Sequence, residues 1–224
     1  MSEDVSAPAG ARPRPLVPLP ARLAVLLSGR GSNFDALFEA CQRGTVPATI
    51  ALVVSDVPDA PGLVRAEMRG LPVAALVPGE MGGKAAFEEE VQRRLVEARV
   101  DLVCLAGFMR ILSPAFVARW PLRILNVHPS LLPSFPGLGA QEQAVRYGAR
   151  VSGATVHFVD AGTDTGPIVG QTALPVRENE ASDSYAARLL SVEHALYVSS
   201  LGRVLEGGWR LDGRAIRFPD RRAP

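Results

Sequence analysis

Two polar side chains that could act on a proton and an oxyanion stand at the end of the apolar run Leu122–Val127. In a strand, side chains alternate between faces, so Asn126 and His128 point to the same face. Pro129 cannot donate to a sheet ladder, so the strand should end there. An amide can donate to a developing oxyanion, and an imidazole can transfer a proton near neutral pH. We therefore expect acid–base chemistry at the carboxyl end of this strand, where ligands collect in open α/β sheets.

An imidazole in this role needs an acidic partner that sets its tautomer or raises its pKa. The polar, glycine-rich stretch Asp160–Pro167 offers Asp160 and Asp164, and spacing alone does not choose between them. The other two histidines favour structural roles, because His157 alternates within a strand-like segment and His194 lies on a long predicted helix. Three separated histidines without an HxxxH pair predict no metal site.

A second candidate site is the glycine-rich stretch SGRGSN, residues 28–33, between the first predicted strand and the first predicted helix. Glycines at such a place let the free N–H groups of a helix N-terminus approach an anion. Phe34 stands where a dinucleotide fingerprint needs its third glycine, although Asp56 is near the place of its acidic residue. A tight turn without a ligand is the other alternative. The residues expected to hold a phosphate monoester are Gly31, Ser32 and Asn33.

The elements that position these residues follow from the alternation of apolar runs with amphipathic segments. Five short apolar runs, beginning with Arg22–Leu27, alternate with helical segments up to His128, which predicts a parallel sheet with right-handed crossovers. Beyond it, Ser152–Val159 and Ile168–Pro175 alternate as strands, and Ser182–Leu201 is the longest predicted helix. We predict an α/β fold: a Rossmann-like open sheet, mostly parallel, with antiparallel strands in the C-terminal half and helices on both faces.

Composition restricts the class of protein. Of 224 residues, 47% are apolar and 21% charged, and the net charge of +1 gives no reason to expect a nucleic acid or a membrane surface as partner. No apolar run approaches the roughly 20 residues that span a bilayer. Cys41 and Cys104 favour reduced core thiols of a cytoplasmic protein. We expect a flexible Pro-, Ala- and Arg-rich tail over residues 1–20 and one domain over residues 21–224, as a monomer or homodimer.

Four motifs, SGRGSN, AGFMRILSP, NVHPSLLPSFPG and TVHFVDAGTDTGPI, together resemble the glycinamide ribonucleotide formyltransferase family from about Arg22 to Leu201. The resemblance implies a single formyltransferase domain, small-molecule substrates and a catalytic trio of Asn126, His128 and Asp164. It also implies that the glycine-rich loop binds the substrate phosphate and that Glu193 contacts the substrate ribose.

The resemblance further implies 10-formyltetrahydrofolate as co-substrate, without a metal. Lys84 stands where the family often has an arginine near the folate tail. Leu190 departs from the polar or basic residue that often assists with phosphate, and Leu138-Gly139-Ala140-Gln141 lacks a histidine that family members often carry. The implied folate-pocket residues are Lys84, Met109, Arg110, Ile111, Leu112, Ala161, Gly162 and Thr163.

The activity implied is formyl transfer to the amine of glycinamide ribonucleotide in de novo purine biosynthesis. We expect Asn126 and a protonated His128 to stabilise the oxyanion, and Asp164 to raise the pKa of His128. The alternatives are formyltetrahydrofolate deformylase, another folate-dependent formyltransferase such as the methionyl-tRNA enzyme, and a nucleotide-binding module without catalysis. Chain length argues against the first two, because both carry an additional domain.

Overall fold

The apolar runs form one mixed sheet. The computed structural model describes residues 16–219, and within that range nine strands make a single sheet. The strands are β1 (Ala21–Leu27), β2 (Ala48–Ser55), β3 (Val73–Ala75), β4 (Leu102–Leu105), β5 (Ile124–His128), β6 (Val151–Phe158), β7 (Ile168–Pro175), β8 (Arg210–Asp212) and β9 (Ala215–Arg217).

Helices cover both faces of this sheet. One hydrophobic cluster packs α1, α2 and α6 on one face, and a second packs α3 and α4 on the other. Strands that are covered in this way are apolar along their whole length, and every residue of β4 is buried. The helices are α1 (Ser32–Gln42), α2 (Pro61–Met68), α3 (Lys84–Glu97), α4 (Pro114–Ala118), α5 (Ala140–Tyr147) and α6 (Ser182–Glu206).

Strand order places a switch point beside the predicted sites. The order is β3-β2-β1-β4-β5-β6-β7-β9-β8, so the chain moves outward from β1 to β3 and then returns to continue at β4. β1 to β5 pair in parallel, whereas β6 is antiparallel to both β5 and β7. The predicted fold class is therefore confirmed. The loops after β1 and β4 leave the same edge at the switch point, where open α/β sheets bind ligands.

Some boundaries differ from the predicted ones. β5 begins at Ile124 rather than at Leu122, because Leu122 has a φ of 54°, which lies outside the extended region. α6 continues past Leu201 to Glu206. Within the stretch predicted as a tail, residues 1–15 lie outside the described residues, and Val17 is buried in the core beneath α1, α2 and α6.

Candidate active site

Asn126 and His128 share one face at the carboxyl end of β5, as strand alternation predicts. Across the ladder, Asn126 is the register partner of His157 on β6. The Asn126 Nδ2 atom lies 3.2 Å from the His157 Nε2 atom. On the far side of the His128 ring, Nε2 lies 2.8 Å from the carbonyl oxygen of Phe135, so this nitrogen carries a hydrogen that it donates. The ring is thereby held with Nδ1 facing the loop Asp160–Pro167.

Asp164, not Asp160, is the acid that meets the imidazole. Its Oδ2 atom lies 3.3 Å from His128 Nδ1 and accepts a 2.8 Å hydrogen bond from the Gly137 N–H. Asp164 itself adopts a left-handed φ of 54°. Asp160 instead caps its own turn, where its Oδ1 accepts from the Gly162 N–H at 3.1 Å and from the Thr165 hydroxyl at 2.6 Å. The loop thus brings one of its two carboxylates to the end of β5.

His157, which the sequence assigned to a structural role, belongs to the same cluster. Its Nε2 atom is 3.6 Å from Asp164 Oδ1 as well as within hydrogen-bond distance of Asn126. Its Nδ1 atom donates to the Phe158 carbonyl at 2.9 Å, which leaves Nε2 to accept from the amide of Asn126. Alternation alone places His157 on a strand face. Only the register between β5 and β6 reveals that His157 lies directly beside Asn126 on the same face of the sheet.

Burial has the largest effect on the pKa of His128. Burial lowers its pKa below the ordinary 6.5, and nearby His157 lowers it further, while the Phe135 carbonyl and Asp164 act in the opposite direction without prevailing. Asp164 therefore acts in the expected direction on the pKa of His128, but burial outweighs it and the pKa in the free protein is lowered overall. Burial alone would raise the pKa of Asp164, but the adjacent His157 ring, the hydrogen bond from the Gly137 N–H and the nearby His128 ring lower it overall.

The cluster opens into a cavity of about 620 Å³, a volume suited to a drug-sized ligand. Its wall includes Phe87 and Phe108, whose rings stack with centroids 6.4 Å apart. Of the residues predicted for the folate pocket, Ala161 is exposed in the same loop but does not line the cavity. The predicted residues that do line it are Lys84, Met109, Arg110, Ile111, Leu112, Gly162 and Thr163.

The glycine-rich loop after β1 forms the N-terminus of α1. Gly31 is the N-cap with a left-handed φ of 72°, and a Cβ atom there would lie 2.6 Å from the Cα atom of Gly62. Glycine is therefore required both by conformation and by the close approach of α2. Ser32 begins the helix, so the first free N–H groups of α1 point out of this loop. The arrangement matches an anion-binding helix N-terminus.

Asn33 and Glu193 meet beside that loop. The Asn33 amide donates to Glu193 Oε2 at 3.1 Å, and both residues are buried. The Oδ1 atom of Asn33 is buried without a hydrogen-bond partner. Burial raises the pKa of Glu193, while the amide of Asn33 and the charge of Arg30 lower it in part. Predicted substrate-binding residues from α1 and α6 thus form one polar contact next to the helix N-terminus.

The described residues hold neither a metal-ion cluster nor a membrane-spanning helix. Within residues 16–219, no group of three or more His, Cys, Asp or Glu side chains is arranged to hold a metal ion. None of the helices in that range combines the length and the hydropathy required to cross a bilayer.

The fold and the cluster define a formyltransferase-like α/β protein, and comparison with known proteins agrees. The chain belongs to the formyl transferase family, which matches residues 21–201. Phosphoribosylglycinamide formyltransferase of Escherichia coli strain K12 is 37% identical over 202 residues, which are 90% of this chain and 95% of that protein. The crystal structure of glycinamide ribonucleotide transformylase 1 from Symbiobacterium toebii superposes with a TM-score of 0.87 at 43% identity, covering 89% of this chain and 94% of that one.

Some relatives are much longer proteins. The trifunctional purine biosynthetic protein adenosine-3 of Drosophila melanogaster is 43% identical over 188 residues. The match covers 83% of this chain and only 14% of the Drosophila protein. The similarity therefore extends to one segment of that protein.

Proposed function

We propose that this protein transfers the formyl group of 10-formyltetrahydrofolate to the amine of glycinamide ribonucleotide, giving formylglycinamide ribonucleotide in de novo purine biosynthesis. The observation that supports this most directly is the convergence of Asn126, His128 and Asp164 at the cavity. Relatives of matching length carry the name phosphoribosylglycinamide formyltransferase.

In the proposed reaction, the amine nitrogen attacks the formyl carbon and a tetrahedral centre forms with negative charge on its oxygen. The Asn126 amide, oriented by His157, donates to that oxygen. The lowered pKa of His128 keeps its ring neutral and able to take part in proton transfer near neutral pH. We propose that His128 and Asp164 accept the amine proton and return it to the folate nitrogen as its bond to carbon breaks.

The two substrates occupy opposite sides of the switch point in this proposal. The phosphate binds the free N–H groups after Gly31, and the ribose hydroxyls donate to Glu193. The folate head group lies in the cavity against the loop after β4 and the loop of Asp164, with Ala161 at its edge. The residues assigned to glycinamide ribonucleotide are Gly31, Ser32, Asn33 and Glu193. Those assigned to formyl folate are Lys84, Met109, Arg110, Ile111, Leu112, Ala161, Gly162 and Thr163.

Substitution of the trio tests the catalytic assignment. We expect Asn126→Ala and Asp164→Asn each to lower kcat by roughly a hundred- to a thousand-fold with modest changes in KM, as for loss of one oxyanion donor or of a proton carrier. Asp160→Asn is the matched control in the same loop, because its carboxylate binds its own turn. A fall of equal size in the control, or near-full kcat in both variants, contradicts the assignment.

The choice of substrate needs its own assay. Loss of the formyl group from 10-formyltetrahydrofolate should depend on glycinamide ribonucleotide, and removal of the substrate phosphate should raise KM strongly. Deformylation without the amine would indicate a deformylase, and binding without turnover would indicate a nucleotide-binding module. Equal KM values with and without the phosphate would remove residues 31–33 from the substrate site.

We place this reaction in the cytoplasm, with small molecules as substrates and the chain as a monomer or homodimer. Cys41 and Cys104 are free thiols, and reduced thiols are typical of that compartment.

A further inference from the structure

Asp56 follows β2 at the same sheet edge as the two substrate loops, and its side chain is only 7% exposed. Its Oδ1 atom accepts a 2.5 Å hydrogen bond from the Ser28 hydroxyl, and its Oδ2 atom accepts a 2.6 Å bond from Arg110 Nε. The Ser28 oxygen in turn accepts from the Met109 N–H at 2.9 Å. One buried carboxylate therefore joins the loops that follow β1 and β4.

This arrangement gives Asp56 a role other than the one its sequence position suggested. In a dinucleotide site, the acidic residue after the second strand accepts hydrogen bonds from ribose hydroxyls. Here both carboxylate oxygens of Asp56 already accept bonds from protein donors, Ser28 and Arg110. Its charge is directed at Arg110, which lies on the wall of the cavity.

Arg110 lines the cavity with a side chain that is 45% exposed. Because Nε faces Asp56, the two terminal amino groups are the donors left for a ligand. Its guanidinium carbon lies 5.9 Å from the ring centroid of Phe87, which belongs to the apolar wall. Lys84 also lines the cavity, with 56% of its side chain exposed, whereas His128 is 5% exposed. Cations thus occupy the open part of the cavity, and the trio its buried part.

We propose that Asp56 is a positioning residue that holds the Arg110 guanidinium toward a carboxylate on the tail of the folate donor. The inference rests on the proposed function, because it takes a folate as the ligand of the cavity. An unrestrained arginine must lose rotamer freedom when it binds a carboxylate. The bond from Nε to Asp56 fixes the planar group in advance, so this loss does not have to occur on binding. Asp56 acts through Arg110 and touches no substrate itself.

Binding measurements separate this role from a general structural one. Tetrahydrofolate and tetrahydropteroate, which lacks the glutamate tail, are titrated calorimetrically into the wild-type protein, Asp56→Asn, Arg110→Gln and the double variant. We expect Asp56→Asn to raise the dissociation constant of tetrahydrofolate about 10-fold, as for loss of a hydrogen bond to a charged group. The dissociation constant of tetrahydropteroate should rise less than about 2-fold. The double variant should be no weaker than Arg110→Gln alone, because the effect of Asp56 passes through Arg110.

The control is Glu90→Gln, which removes ion pairs with Arg93 and Arg94 within α3 and should leave both dissociation constants unchanged. Equal weakening of the two ligands by Asp56→Asn, or additive effects in the double variant, overturns the proposal. If Asp56→Asn does not fold, Arg110→Lys decides. This variant keeps the positive charge but loses the planar guanidinium and its Nε donor. It should bind tetrahydrofolate as weakly as Arg110→Gln does, and wild-type affinity overturns the proposal.

The titration needs no turnover. A wild-type protein that binds the folate but transfers no formyl group contradicts the proposed function and leaves the role of Asp56 standing. An active enzyme whose Asp56→Asn variant weakens both ligands equally contradicts only the role of Asp56.

Discussion

Single side chains set the chemistry of the cavity, and His128 is the residue on which burial acts most clearly. Its ring is 5% exposed, with one nitrogen held by the Phe135 carbonyl and the other facing Asp164. A nearby carboxylate favours the imidazolium, whereas loss of water disfavours it. Here burial prevails and the pKa is lowered. The protein thus keeps a neutral imidazole beside an ionised carboxylate.

The lowered pKa of His128 predicts a pH-dependent stability. Below the ordinary pKa of 6.5, the unfolded chain binds a proton at this ring that the folded chain does not bind until its lower pKa is reached. The free energy of unfolding should therefore fall as the pH drops through that window. Urea denaturation between about pH 5 and 7 should show a smaller decline for His128→Asn than for the wild type.

His194 contributes to the same decline, because burial lowers its pKa as well. Adding His194→Gln to His128→Asn should flatten the profile further. An unchanged slope in His128→Asn would show that its folded-state pKa is not depressed.

Sequence reasoning reached Asn126 and His128 because strand alternation is a local rule. It could not choose between Asp160 and Asp164, because the choice depends on the left-handed turn at Asp164 and on the Gly137 N–H from a distant loop. His157 was missed for a related reason, since the register between β5 and β6 is a long-range property.

At the level of elements, α6 fixes the two strands that carry the cavity. The Tyr197 hydroxyl on α6 lies 3.1 Å from the carbonyl oxygen of Leu105 on β4 and 3.0 Å from that of Leu125 on β5. Burial raises the pKa of Tyr197 well above its usual value, so the phenol remains a neutral donor. One helix side chain thereby links adjacent parallel strands just before the loops of the site begin.

Tyr197→Phe tests the contribution of this link. The variant keeps the buried ring and removes the hydroxyl, so the free energy of unfolding should fall by about 1–3 kcal/mol, the cost of leaving a buried group unsatisfied. Tyr147→Phe is the matched control, because Tyr147 is 81% exposed, and it should change stability by less than about 0.5 kcal/mol. Urea denaturation of both variants gives the comparison, and equal stabilities would mean that the Tyr197 hydroxyl stabilises nothing.

The strands and helices followed from sequence because periodicity reports which face is buried. The end of α6 did not, since the predicted helix ended at Leu201 whereas α6 continues to Glu206. A single glycine inside a helix costs only about 1 kcal/mol relative to alanine, so α6 continues through Gly202. The helix instead ends at Gly207, whose left-handed φ of 76° a β-carbon would disfavour.

Across the whole molecule, strand order places the two proposed ligands on separate elements of one edge. The loop of residues 28–33, which is proposed to bind the phosphate, follows β1 and is held against α2 through the close approach of Gly31 to Gly62. The cavity lies beyond β4 and β5 and is closed by the loop of Asp164. The βα alternation predicted this sheet, but the β1–β4 neighbourhood that brings the sites together is a property of the tertiary fold.

Separate placement predicts that each ligand stabilises the protein in its own right. A ligand at about 100 times its dissociation constant should add about 2.7 kcal/mol to the free energy of unfolding. Glycinamide ribonucleotide and tetrahydrofolate should each raise the midpoint of thermal unfolding. Gly31→Ala should abolish the increment from the ribonucleotide and keep that from the folate, because its Cβ displaces α2 from the loop without touching the cavity.

Gly44→Ala supplies the control, since Gly44 has nearly the same φ of 71° but nothing within 4 Å of a built Cβ atom. Both variants carry the strain of a left-handed alanine, about 1–2 kcal/mol, so both start from a lower midpoint. Gly44→Ala should nevertheless show both ligand increments in full. If Gly31→Ala also kept its ribonucleotide increment, the anion would bind elsewhere, and if it lost both, the two ligands would share one site rather than flank the switch point.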